Sequence, residues 1–328
     1  MSVVQQAAIT TGAAPGAASR RRTASGFGDT LFEWLCRGSG VLVLLLLGAI
    51  IVELFIGALP AFREFGAGFV WAEVWNPVTE KFGAAVAVFG TLATAVLAIL
   101  LAVPLAFGIA FFLTELAPAW MRRPVGTAIE LLAAVPSIIY GMWGFFVVAP
   151  LVSAYIQPAA ESTLGELPWI GDLFVAPPFG TGIFTAGAIL AIMILPFIAA
   201  TMRDVFDQVP PVYKESAYGL GATTWEVMRG VVLPYTRVSV VGGIMLGLGR
   251  ALGETMAVTF VIGNTNRIGG SIFSPGNTIA SLVALEFPES PAGSLKLASL
   301  LALGFILFVI SFVVLAVSRL LLRPGLKG

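Results

Sequence analysis

Between two long apolar runs the sequence reads Lys214-Glu215-Ser216-Ala217-Tyr218-Gly219-Leu220-Gly221. It continues through Trp225-Glu226-Val227-Met228-Arg229 and closes with Val231-Val232-Leu233-Pro234. Pro210-Pro211 just upstream opens a helix, since the first helical turn has amides to spare and tolerates proline. Glu215 then falls near the positive N-terminal end of that helix. Gly219 and Gly221 break it into two short pieces, and Pro234 marks the start of the next apolar run. The expected product is a short helix-turn-helix projecting from an apolar body. Its small residues Ser216, Ala217, Gly219 and Gly221 leave room for a partner's surface to approach closely.

The apolar body is a membrane. Of 328 residues 58% are hydrophobic and 11% charged, with 18 Lys+Arg against 18 Asp+Glu, whereas soluble domains carry about 25% charged residues. This excludes a soluble enzyme, a nucleic-acid binder and a disordered protein. Histidine is absent and Cys36 is the single cysteine, which removes internal disulfides and the usual zinc sites. A bilayer-spanning helix needs about 20 mostly apolar residues. Six stretches qualify, at Gly40–Leu59, Ala84–Leu113, Ala128–Ala149, Thr181–Met202, Val238–Ile262 and Leu297–Leu321. Each is continuously apolar without the two-residue alternation of barrel strands, so the fold class is all-α and polytopic. Pro104 predicts that the second span is either kinked or runs on past the interface.

Basic residues orient the chain. With both termini inside, thirteen Lys and Arg fall on inner segments, four (Arg63, Lys81, Arg267, Lys296) on outer ones, and Arg250 lies within a span. The positive-inside rule therefore gives N-in, C-in. Residues 1–28 read as a disordered cytoplasmic tail, and 29–84 as the first span with its outer loop. Residues 85–322 read as the transport core, with its inner loop at 203–237, and 323–328 as the cytoplasmic C-terminus. The outer segments are rich in Pro, Gly and aromatics, where Trp71, Trp75 and Trp169 suit interfacial positions on short surface helices.

Glu215, Ser216, Ala217, Gly221, Val231, Leu233 and Pro234 stand at the spacing of the Glu-Ala-Ala loop of ABC-importer permeases, which this segment resembles. Ser216 replaces the middle alanine and Val231 the usual isoleucine. The resemblance implies the type I importer fold, with this loop as the coupling helix that docks into an ATPase subunit. None of Lys81, Lys214, Lys296 and Lys327 sits in the Gly-Lys-Ser/Thr context of a phosphate-cradling Walker loop, so ATP acts through another chain. Trp225, an indole beside a glycine turn, suits an anchor at that interface.

Arg250, Glu254 and Thr255 lie within Gly247-Leu248-Gly249-Arg250-Ala251-Leu252-Gly253-Glu254-Thr255-Met256. An arginine at mid-membrane costs at least roughly 2.5–3.5 kcal/mol, and such a charge is paired or lines a water path. The one-turn spacing puts Arg250 and Glu254 on one helix face, where they can pair. Two readings stand: a translocation path for an anion, with the Arg250 guanidinium matched to an oxyanion, or a salt bridge that fixes helix packing. Glu130 reads as an interfacial structural charge, and Pro136 and Pro196 as kinks or tight packing sites.

The string from Glu130 through Pro136-Ser137-Ile138 to Tyr140-Gly141 is similar to the third-span signature of phosphate-uptake permeases. So are Met202–Phe206, the Lys214–Pro234 loop and Gly247–Val258. That resemblance covers about Asp29 to Leu321. It implies import of inorganic phosphate by alternating access, in the inner membrane, as a non-enzymatic subunit. The implied partners are a second related permease, two copies of a cytoplasmic ATPase that bind ATP and Mg, and an external phosphate-binding protein, all within membrane lipid and without nucleic acid. No cofactor is expected in this chain. An ATP-independent channel or carrier, a permease for another oxyanion, and a signalling scaffold are the competing readings.

Overall fold

The computed structural model describes residues 27–321. Expectations for the N-terminal tail and for 323–328 therefore lie almost wholly outside the described residues. Among those described, regular structure is helical apart from one antiparallel bridge, Asn76–Lys81. Ten helices carry the architecture: α1 Phe27–Phe65, α2 Ala85–Leu116, α3 Ala119–Ala133, α4 Ser137–Leu164 and α5 Ile183–Asp207. They continue with α6 Pro211–Gly219, α7 Thr224–Leu252, α8 Met256–Val261, α9 Ile279–Glu286 and α10 Leu295–Leu321. Helices α1, α2, α4, α5, α7 and α10 are long and apolar enough to cross a membrane, which makes six spans.

The chain divides into two compact units at Ile50/Ile51. The first holds the N-terminal part of α1, whose apolar side chains Leu42 to Leu47 are all exposed, with an Arg37–Glu33 pair one turn apart at 2.6 Å. The rest of the molecule is centred on α5, the most enclosed span. Helix α2 can lie close against it because Ala95, Ala98, Ala102, Ala106 and Ala110 form a buried stripe at three- and four-residue spacing. Small residues let helix backbones approach where lipid offers no hydrophobic drive. The other face of α2 presents Val96, Leu100 and Leu105, all exposed, as a lipid- or subunit-facing surface. A second cluster, around Phe69, Trp75, Phe82, Ile279 and Leu300, closes the outer end.

The structure moves the span limits, lengthening the first to Gly28–Phe65 and carrying the third to Leu164 rather than Ala149, with the largest changes of form at the starts and ends of the third and fifth. The third span begins at Ser137 rather than Ala128, because the chain breaks at Ala134–Pro136 and the preceding residues form the separate helix α3. The fifth begins at Thr224 and passes through Pro234. A π-turn at Met228–Val232 absorbs the bond that proline cannot make, so Pro234 does not open this span. It ends at Leu252, where Gly253 caps it, instead of running to Ile262. Pro104 sits inside an unbroken α2 of 32 residues, about 48 Å at the usual helical rise, so α2 runs on past the interface. Pro196 is buried in an unbroken α5 as a packing site. Trp71 and Trp169 are exposed as expected, but Trp75 is buried edge-on against Phe82.

Candidate functional site

Two places carry the chemistry: the projecting loop α6–α7, and a double helix break where α3 meets α4 and α7 meets α8.

In the loop, Pro211 opens α6 with Pro210 as its N-cap. Glu215 is exposed one turn into the helix, in its N-terminal half. The Ser216 hydroxyl donates back to the Val212 carbonyl at 2.6 Å. Ala217 and Leu233 pack on the central core, whereas Gly219, Gly221 and Pro234 are exposed. The helix ends at Gly219, and Gly221 takes φ +88, in open space. A side chain there is strained by roughly 1–2 kcal/mol. Thr223 and Glu226 then close a capping box that starts α7. The helix-turn-helix is thus built from local rules. Trp225 keeps 52% of its surface and stacks edge-on against Phe107 and Phe111 of α2.

One contact here escaped the sequence reading. Lys214 Nζ sits 2.6 Å from Glu115 Oε1 at the end of α2, with side chains 17% and 9% exposed. The pair spans 99 residues of sequence. With Trp225 on Phe107 and Phe111, it gives the loop two anchors on α2. Leu220, exposed by 90%, also went unremarked; a leucine flanked by glycines at a projecting turn is its only sequence signal, and it offers an apolar knob to a docking partner.

At the double break, Arg250 occupies the last turn of α7 and is exposed. Glu254 lies past the Gly253 cap. Among the described residues the two form no ion pair. The expected pairing on one helix face fails because Gly253 ends the helix between them. Glu254 instead accepts the Ala257 amide at 3.3 Å and so caps α8. The Thr255 carbonyl accepts from Thr259 Oγ1 at 2.7 Å.

The second break faces this one. Tyr140 on α4 donates its hydroxyl to the Leu132 carbonyl at 2.8 Å, a second bond to a group at the end of α3 that also accepts the Val135 amide at 3.3 Å. A Cβ at Gly141 would stand 2.9 Å from Ala257 Cα, so α4 and α8 touch backbone to backbone. Glu130 is a structural charge at the surface, bonded to Arg203 at 2.8 Å. The tertiary fold therefore brings the Pro136–Gly141 and Arg250–Thr255 strings together, leaving a guanidinium without a carboxylate partner between two interrupted helices. Irregular backbone at membrane depth is tolerated where it is buried in protein or lines a cavity, and interrupted spans are where carriers bind ions.

Six apolar helices, a charge held at a double break and a docking loop on one side define a membrane transport component. Residues 102–324 match the family model described as "Binding-protein-dependent transport system inner membrane component". The chain is 58% identical to phosphate transport system permease protein PstC of Pasteurella multocida, over 90% of this chain and 91% of that one. With its Mesorhizobium japonicum counterpart it shares 53% identity over 98% and 97%. A bacterial ABC transporter involved in alginate import has the same fold, with a TM-score of 0.58 at 17% identity over 92% of this chain and 99% of that one. The chain belongs to this family of multi-pass inner-membrane permeases, in its PstC branch; it is a transport component and not an enzyme.

Proposed function

We propose that this chain is one permease subunit of an ATP-driven importer that moves inorganic phosphate into the cell by alternating access. The observation that carries the proposal is the 58% identity to a phosphate transport permease over nine-tenths of the chain, supported by a projecting helix-turn-helix at the positions that resemble the coupling-helix pattern. The transport core spans 85–322 and its inner loop 203–237. Glu215, Ser216, Ala217, Gly219, Gly221, Trp225, Leu233 and Pro234 form or support the surface that meets the ATPase. Two ATPase copies bind ATP and Mg; this chain needs no cofactor. A second, related permease completes the pathway, and an external binding protein delivers phosphate.

Arg250 offers the anion a planar guanidinium fork, with Thr255 beside it. Glu254 holds the start of α8 rather than the arginine, so the guanidinium stays available to the anion. Partial neutralisation by one arginine, instead of a full cage, keeps the site weak enough to release phosphate inward. The test is radiolabelled phosphate uptake by Arg250→Gln, with membrane abundance and assembly with the partner subunits followed in the same cells. Intact assembly with collapsed uptake is expected; intact assembly with normal uptake would remove Arg250 from the path.

A further inference from the structure

At the loop-side end of α2 two adjoining hollows share Leu113 as a wall. One is polar, a cavity of about 400 Å³ lined by three arginines, Arg122, Arg123 and Arg203, three carboxylates, Glu130, Asp204 and Asp207, and Thr127. The other is apolar, a groove of about 480 Å³ along Pro104, Gly108 and Phe112 of α2 and Val125 and Ile129 of α3. Trp120, exposed by 76% on the first turn of α3, marks a membrane–water boundary, where indole rings settle.

The three arginines and three carboxylates of the polar cavity cancel formally, but they are not all paired with one another. Arg203 is already bridged to Glu130 and Asp204, at 2.8 and 2.9 Å. Arg122 gives its Nε to the Ala117 carbonyl at 3.0 Å. Among the described residues, neither Arg122, Arg123 nor Asp207 enters an ion pair. Two guanidinium groups and one carboxylate are left facing the cavity. A phosphate diester matches the arginines, and an ammonium on the same molecule matches Asp207. The adjoining groove then asks for hydrocarbon on that molecule too.

We propose that the hollow between α2 and α3 binds a glycerophospholipid of the cytoplasmic leaflet, its phosphate diester on Arg122 and Arg123 and an acyl chain in the Pro104–Val125 groove. Free phosphate shares the headgroup chemistry but has no use for the groove. The site depends on where the chain lies in the membrane and not on what it carries.

The probe is a phosphatidylethanolamine bearing a photoactivatable acyl chain, placed at trace level in phosphatidylethanolamine–phosphatidylglycerol vesicles that hold the assembled importer. Crosslinks are mapped by mass spectrometry. Enriched labelling of the 104–129 segment is expected, unchanged by excess inorganic phosphate. It should be lost in Gly108→Phe, since a Cβ added at Gly108 meets nothing within 4 Å and the ring can enter the groove without disturbing the core. It should weaken in the Arg122→Gln/Arg123→Gln double variant. Equal labelling in all three proteins would mean bulk lipid only. Displacement by inorganic phosphate would assign the cavity to cargo, and absence of label in the assembled complex would mean that a subunit covers the groove; each overturns the proposal. Labelling is read without ATP or transport, so it fails independently of the phosphate-import reading.

Discussion

Glu115→Gln removes the carboxylate that ties the coupling helix to α2, and its effect follows from the burial of the pair. Lys214 and Glu115 approach to 2.6 Å with 17% and 9% of their side chains exposed. After the substitution Lys214 keeps only the Phe206 carbonyl, at 3.4 Å. Breaking one side of a fully buried pair costs about 3–5 kcal/mol, and an exposed pair contributes about 1 kcal/mol or less. The ammonium here stays partly wet, which places the loss between those limits, at about 2–3 kcal/mol. That is small beside a typical domain stability of about 5–15 kcal/mol, so insertion and assembly should survive. It is large for a local equilibrium, shifting the docked against the undocked position of α6 by roughly 30- to 150-fold. The assay is phosphate moved per ATP hydrolysed by the complex in vesicles, for Glu115→Gln, Lys214→Met and both together. ATP hydrolysis should persist in the single variants while transport per ATP falls. The double variant should recover part of the loss, because an apolar or neutral pair leaves no stranded charge. Single and double effects that add to within about 0.3–0.5 kcal/mol would show no coupling and refute the linkage.

Gly221→Asp forces a side chain onto φ +88 at the exposed turn; phosphate uptake should be lost while membrane abundance, followed by immunoblot, stays normal. Tyr140→Phe removes the bond to the Leu132 carbonyl, which keeps the Val135 amide, so the loss is that of one ordinary hydrogen bond, about 0.5–1.5 kcal/mol; the complex should lose a little thermal stability while a substitution at exposed Tyr155 should not. Reporter fusions within 1–28 and after Lys327 should both be cytoplasmic, and an external C-terminus would overturn the six-span orientation.

Much of this was legible in the sequence because local rules wrote it. The number of spans follows from apolar run length, and the coupling loop from Pro211, Gly221 and the Thr223–Glu226 cap, each of which acts within a turn or two. The limits of spans three and five were not legible, since Ala128–Ala149 and Val238–Ile262 are apolar enough on either side of Pro136 and of Gly253-Glu254 to read as single runs. Hydropathy reports that a residue tolerates lipid; it does not report whether the helix is continuous.

The sequence by itself determined an all-helical polytopic membrane protein with a projecting helix-turn-helix, because chain length, apolar content and turn chemistry are properties of neighbours along the chain. Only the tertiary structure decided the rest. It separated Arg250 from Glu254 by ending α7 at Gly253, set Gly141 of α4 against Ala257 of α8, and joined Lys214 to Glu115 across 99 residues. The reason is physical: a charge in a low-dielectric setting takes whichever partner the packing brings to it, and packing is fixed by the whole bundle rather than by spacing along one helix.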